Sequence, residues 1–89
     1  MIDTIPFPRL RFSQSNGLVN QISHIKSELM EVELAFYDEP IERVAEELAD
    51  VMISAKTGLD IIERQYGIHP LDVVVRVQQK NRNRGYELE

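Results

Sequence analysis

Three observations predict an all-α fold. From Leu18 onward, apolar residues recur at spacings of three and four over two long stretches, the period of one helix face. Pro40, Gly67 and Pro70 stand where helices would start or stop. No internal repeat or low-complexity segment interrupts the pattern. At 89 residues the chain supports one small domain. The expected architecture is a helical hairpin plus a C-terminal helix, assembling into four-helix bundles by oligomerisation.

Residues 1–17 read as an extended N-terminal arm. Pro6 and Pro8 hold Ile5 and Phe7 in extended backbone. Ile2, Ile5, Phe7, Leu10 and Phe12 are too apolar for a free tail, so the arm should pack on the body or on a neighbouring subunit. The first helix should span Leu18 to Tyr37, capped near Asn16, with Ile22, Ile25, Leu29, Val32 and Phe36 as its apolar stripe. Pro40 suits the first turn of the second helix, which should reach Tyr66. Its stripe would be Ile41, Val44, Leu48, Val51, Met52, Ala55, Leu59, Ile62 and Tyr66. Gly58 falls inside it and marks a close contact or a kink, and Gly67 is a natural C-terminal glycine. The third helix should start at Pro70 and end near Asn81 or Asn83. The β-branched run Val73–Val75 also suits a strand, but Pro70 and the polar Gln78–Lys80 continuation favour helix.

A chain this short buries only about 60% of the surface it exposes when unfolded, so small folds recruit disulfides, metals or partner subunits. With no cysteine, disulfides and thiolate metal sites are excluded. Oligomerisation and a hard, oxygen-ligated metal remain. Met30, Leu34, Ile53 and Ile61 lie off the main stripes, and leftover apolar surface of this kind predicts a homodimer or tetramer. A net charge of −5 argues against binding a nucleic acid polymer. No apolar run approaches the roughly 20 residues of a membrane span, and Met1 to Phe12 lacks the apolar core of a signal peptide, so a cytoplasmic setting is the expectation.

The charge is uneven. Nine acids face the single base Arg43 between Glu28 and Asp50, a net of −8, whereas Arg76 to Tyr86 holds four bases and no acid. Two solvated, mutually attracting helix faces would explain this, as would a site that needs both a divalent cation and a polyanion. Within the acidic stretch, Glu28 and Glu31 are three apart on the first helix, and Glu47 and Asp50 are three apart on the second. At about 100° per residue they lie about 70°, 130°, 90° and 150° from their stripes, in the same rotational sense. Antiparallel packing would turn both pairs towards one groove. Four crowded carboxylates repel one another unless a cation sits among them, and Mg²⁺ suits them because it takes oxygen ligands and keeps waters for a phosphate substrate. E-x-x-E pairs also arise by chance on solvated helix faces.

The stretch Gln21–Ala35, followed by Glu46-Glu47-Leu48-Ala49-Asp50-Val51 and by Lys80-Asn81-Arg82-Asn83-Arg84-Gly85-Tyr86, resembles the MazG-like nucleotide pyrophosphohydrolases. Their pattern is E-E-x-x-E on one helix and E-x-x-D on the next, and the resemblance runs from about Gln21 to Tyr86. It implies a MazG-like all-α domain over 18–89 that hydrolyses the α–β phosphate bond of a nucleoside triphosphate or related nucleotide, giving the monophosphate and pyrophosphate. It also implies a homodimer or tetramer and a Mg²⁺ cofactor, with Mn²⁺ as substitute. Glu28, Glu31, Glu47 and Asp50 match the metal ligands. Ser27 stands where the first Glu of the pattern is expected, which removes one ligand and leaves room for one metal rather than two, or calls on Glu46. Either Glu28 or Glu31 would activate the attacking water. Lys80 and Arg84 suit phosphate, Asn81 suits base, sugar or phosphate, and Gln21 lies on the side of Glu28 where it would touch the nucleotide. His24 shares that side but has no second His at metal-ligand spacing, and His69 reads as a turn residue. The alternative is a non-catalytic nucleotide-binding or helical interaction module on the same fold, supported by Ser27.

Overall fold

The computed structural model describes residues 5–88. Four helices follow one another: α1 (Phe12–Ser15), α2 (Leu18–Asp38), α3 (Ile41–Tyr66) and α4 (Pro70–Asn83). The described residues form an all-α domain without strands, and Val73–Val75 are helical. The arm differs from the extended segment the sequence predicts, because Phe12–Ser15 close one helical turn. Ser13 stabilises this turn by donating its hydroxyl to Leu10 O at 2.7 Å. Ile2 falls outside the described residues.

Local chemistry explains the ends. Gly17, not Asn16, caps α2, and the Asn16 amide instead donates to Gln21 Oε1 at 3.2 Å. Pro40 occupies the cap position of α3, one residue earlier than its expected place. Gly67 ends α3 in a left-handed conformation (φ 73°), with its N–H on Glu63 O at 2.8 Å. His69 begins α4, where its Nδ1 accepts the Leu71 N–H at 3.2 Å. At the other end of α4, Gly85 is left-handed (φ 75°). Tyr86 N bonds Asn81 O at 2.9 Å and Gly85 N bonds Arg82 O at 3.0 Å, the paired bonds of a Schellman stop. The Arg84-Gly85-Tyr86 run therefore terminates a helix.

α2 and α3 pack as an antiparallel hairpin, but only partly through the stripes the periodicity marks: Val44 is buried and Ile25, Val32, Val51, Leu59 and Ile62 are half-buried. The buried line of α2 is Gln21, Glu28 and Ala35, spaced by seven. Val44, Ser54, Thr57, Gly58 and Ile61 are buried on α3. Ile61, expected to lie off the core, is fully enclosed. By contrast Ile22, Leu29 and Phe36 are 56%, 51% and 65% exposed, and Ile41, Leu48, Met52 and Tyr66 are exposed as well. The reason is geometric: the helices meet along a flank about 100° from the α2 stripe, where small and polar side chains allow close approach. At that same rotation the two apolar rows lie on one side of the contact line, Glu31 and Asp50 lie on the other, and Glu47 falls close to the line itself.

The resulting core is small. Among the described residues, Ala35, Val44 and Ile61 are the buried hydrophobic side chains, and of these Ile61 alone is fully enclosed. The radius of gyration is 14.7 Å, against about 12 Å for a compact domain of this length. The extents of 39 × 39 × 19 Å describe a slab. A buried ion pair, Lys56 Nζ to Asp60 Oδ2 at 2.7 Å, lies on the flank of α3 that shares a cavity with Ile5 and Arg9 of the arm and Leu71 of α4. Gly58 sits where α2 comes close: an added Cβ would meet Gln21 Cγ and Ile25 Cδ1, each at 3.8 Å. Those are ordinary contacts, so Gly58→Ala should raise the unfolding free energy by about 0.5–1 kcal/mol through helix propensity and a less free unfolded chain. A urea titration with a higher midpoint and an unchanged slope checks this.

Candidate active site

The antiparallel hairpin sorts the four carboxylates crosswise. The earlier acid of α2 meets the later acid of α3, and the later meets the earlier. Glu28 and Asp50 line one cavity of about 290 Å³. Glu31 and Glu47 line a second, of about 260 Å³, together with Arg43. The intrahelical pairs of the sequence thus become interhelical pairs, and both cavities lie along the α2–α3 seam. Among the described residues no group of three or more His, Cys, Asp or Glu side chains gathers in a geometry that could hold a metal ion.

Glu28 is held from two sides. Its Oε1 accepts the Ser54 hydroxyl and lies 3.1 Å from His24 Nε2. Gln21 lines the same cavity, but its amide is engaged: Nε2 donates to Ser54 O at 3.0 Å and Oε1 accepts from Asn16. Gln21 is a strut joining the arm, α2 and α3. In the neighbouring cavity Arg43 reaches Glu46 at 2.5 Å and Glu47 at 3.2 Å. Burial lifts the Glu47 carboxyl above its usual range. Glu31, within hydrogen-bonding reach, raises it further, Arg43 opposes the rise, and Asp50 adds to it. Glu47 therefore feels both neighbouring acids, and the two cavities share one electrostatic band.

Other expected positions lie elsewhere. Ser27 is exposed, bonds Ser23 O at 3.2 Å on its own helix and lines neither cavity. Glu46 pairs with Arg43 on the surface and lines neither cavity. Lys80 and Arg84 are exposed and Asn81 half-buried along the C-terminal part of α4, and none of the three lines either carboxylate cavity. Residues that the sequence reading did not assign to the site complete it: Ser54 and Thr57 from α3, Arg43, and Leu10, Phe12 and Asn16 from the arm. Arg43 carried a signal, since it stands four before Glu47 and three before Glu46. Leu10 and Phe12 carried none, because they meet Asp50, Ile53 and Ser54 some 40 positions away.

Comparison with protein families, with curated proteins and with solved structures finds no match. No described helix is long and apolar enough to cross a membrane.

Proposed function

We propose that the chain is a Mg²⁺-dependent nucleotide pyrophosphohydrolase that cleaves the α–β phosphate bond of a nucleoside triphosphate or related nucleotide. The observation that carries this reading is the crosswise meeting of Glu28 with Asp50 and of Glu31 with Glu47 along one seam. The donor set is all carboxylate oxygen, the chemistry a hard divalent cation takes, and the Glu47 carboxyl, raised first by burial and then by Glu31, already stands against like charge. Glu28, Glu31, Glu47 and Asp50 would hold Mg²⁺, which when bound supplies neutralisation of phosphate charge. The resemblance to MazG-like enzymes points the same way.

The protein's own groups have separate tasks. Ser54 and His24 fix Glu28, so its carboxylate presents a set oxygen. Glu31 is exposed to incoming water. In this reading a Glu31 carboxylate oxygen takes the proton from the attacking water, and positioning with charge neutralisation does the rest. Arg43 steadies Glu47 and limits repulsion in the band. Ser27 lines neither cavity, so within this chain the four seam carboxylates stand without a fifth oxygen from that position.

The exposed apolar rows on α2 and α3 are read as the face of a homodimer or dimer of dimers that completes four-helix bundles. Ile22, Leu29 and Phe36, and likewise Ile41, Leu48 and Ala55, repeat every seven residues, the spacing of a helix–helix seam. The α4 bases would then meet phosphate in the assembled bundle rather than within one chain. The test is release of pyrophosphate from a panel of NTPs and dNTPs with Mg²⁺. Turnover of at least one nucleotide is expected, and no turnover across the panel would reject the enzyme.

A further inference from the structure

The cavity of Glu28 and Asp50 has a second kind of lining that phosphate chemistry does not require. Leu10 and Phe12 of the arm and Ile53 of α3 line it too. Metal-bound pyrophosphate would need no apolar wall. A nucleotide also carries a planar base, and an aromatic face is what such a base stacks on. The cavity, about 290 Å³, lies near the lower end of the roughly 300–1,000 Å³ typical of ligand pockets.

The arm is built to hold that face in place. In α1 the small residue is the buried one: Ser13 is 1% exposed, whereas Phe12 is 59% exposed although it is the largest side chain of the turn. Burial of Ser13 turns α1 so that Phe12 lines the cavity rather than the core. Arg64, near the end of α3, then clamps the backbone on the far side. Its Nη1 donates to Gln14 O at 2.9 Å and its Nη2 to Asn16 O at 2.6 Å. Arg9 binds Glu63 at 2.5 Å one position earlier on α3. Asn16 closes the link to Gln21 and hence to Ser54. Charged donors on backbone carbonyls are among the stronger protein hydrogen bonds.

We propose that the segment 10–16 is the base-recognition wall of the nucleotide site, with Phe12 the residue on which the base stacks and Arg64 the residue that positions it. The inference rests on the hydrolase reading, and it assigns the nucleobase, not only the phosphates, to this chain's own arm.

The test is calorimetric titration of the full chain, with Mg²⁺ present, by the four deoxynucleoside monophosphates and separately by inorganic pyrophosphate. Base stacking is worth about 1–3 kcal/mol and about 1.4 kcal/mol is tenfold, so Phe12→Ala should weaken monophosphate binding roughly 5- to 150-fold. Pyrophosphate binding should stay within about twofold, since it has no base to stack. Phe12→Trp should keep monophosphate affinity, and Arg64→Ala should lower it while sparing pyrophosphate. Equal loss of both probes in Phe12→Ala, loss of neither, or a change of oligomeric state instead would overturn the wall. If the unaltered protein binds pyrophosphate and monophosphates but Phe12→Ala changes nothing, the wall alone fails. If it binds none of them, the hydrolase reading fails and the wall with it.

Discussion

Glu47→Gln or Asp50→Asn should reduce pyrophosphate release by roughly 10²–10³-fold or more, the scale of removing one electrostatic partner of a transition state. Each change deletes a charge from the band while keeping side-chain shape, so the helices should form as before. Glu47→Gln also has a second, opposite effect. The folded protein raises the Glu47 carboxyl above its ordinary value of 4.5, chiefly through burial and Glu31. A raised acid favours folding where it is protonated, below about 4.5, and that contribution is lost as pH rises through the folded value. At neutral pH the ionised Glu47 therefore opposes folding in the metal-free protein. Glu47→Gln should melt higher than the unaltered chain at pH 7 without metal, and the gap should close as the pH falls. Added Mg²⁺ should raise the melting temperature of the unaltered protein more than that of the variant. Scanning calorimetry with and without Mg²⁺ at two pH values reads all three. Equal activity in variant and parent would remove the carboxylate band from the mechanism.

If the proposed bundle forms, Leu29→Asp should convert it into monomers at micromolar concentration. Leu29 lies between Ile22 and Phe36 in the exposed row, about half accessible in a single chain. Fully covering such a side chain contributes about 1.5–3 kcal/mol, half of which remains to be gained at Leu29, and a symmetric interface holds two copies. The loss is then roughly 1.5–3 kcal/mol, or about one to two orders of magnitude in the dimer dissociation constant. With Ala35, Val44 and Ile61 as the buried hydrophobic side chains of the described chain, the separated subunit should also unfold at a lower temperature. Light scattering and a thermal melt at matched concentration test both. An unaltered protein that is already monomeric at micromolar concentration would reject the bundle.

The helices were legible because their signals are local. The three- and four-residue spacing over Leu18–Asp38 and Ile41–Tyr66, the left-handed glycine at 67 and the proline at 70 each act within a turn or two of the residue concerned. Which face packs inside one chain was not legible. Periodicity marks side chains that avoid water but not the neighbour that covers them, so Ile22, Leu29 and Phe36 were expected to face α3, whereas Gln21, Glu28 and Ala35 do so. The acids of the seam could be nominated from spacing, yet their crosswise grouping depends on the register of the hairpin. Spacing within one helix does not encode that register. The arm was read as ordered from its apolar content, but the anchoring of its turn at Phe12–Ser15 to α3 runs through Arg64, some 50 positions away. A lone arginine in a helical stretch says nothing of the carbonyls it will find. Lys56 and Asp60 are four apart and so could be paired from sequence, but their burial follows from tertiary packing.

The Arg64 clamp bears on the thermodynamics of ligand capture. Ordering a backbone residue opposes binding by about 1–2 kcal/mol. If residues 12–16 were loose until a nucleotide arrived, every encounter would carry that entropy loss for the whole turn. Two charged hydrogen bonds from the end of α3 make the loss part of folding instead, so the wall is preorganised before any ligand is present. On the proposed reading, the stacking surface would supply the affinity for the base, and Arg64, without touching the ligand, would spare the binding step the loss of chain entropy.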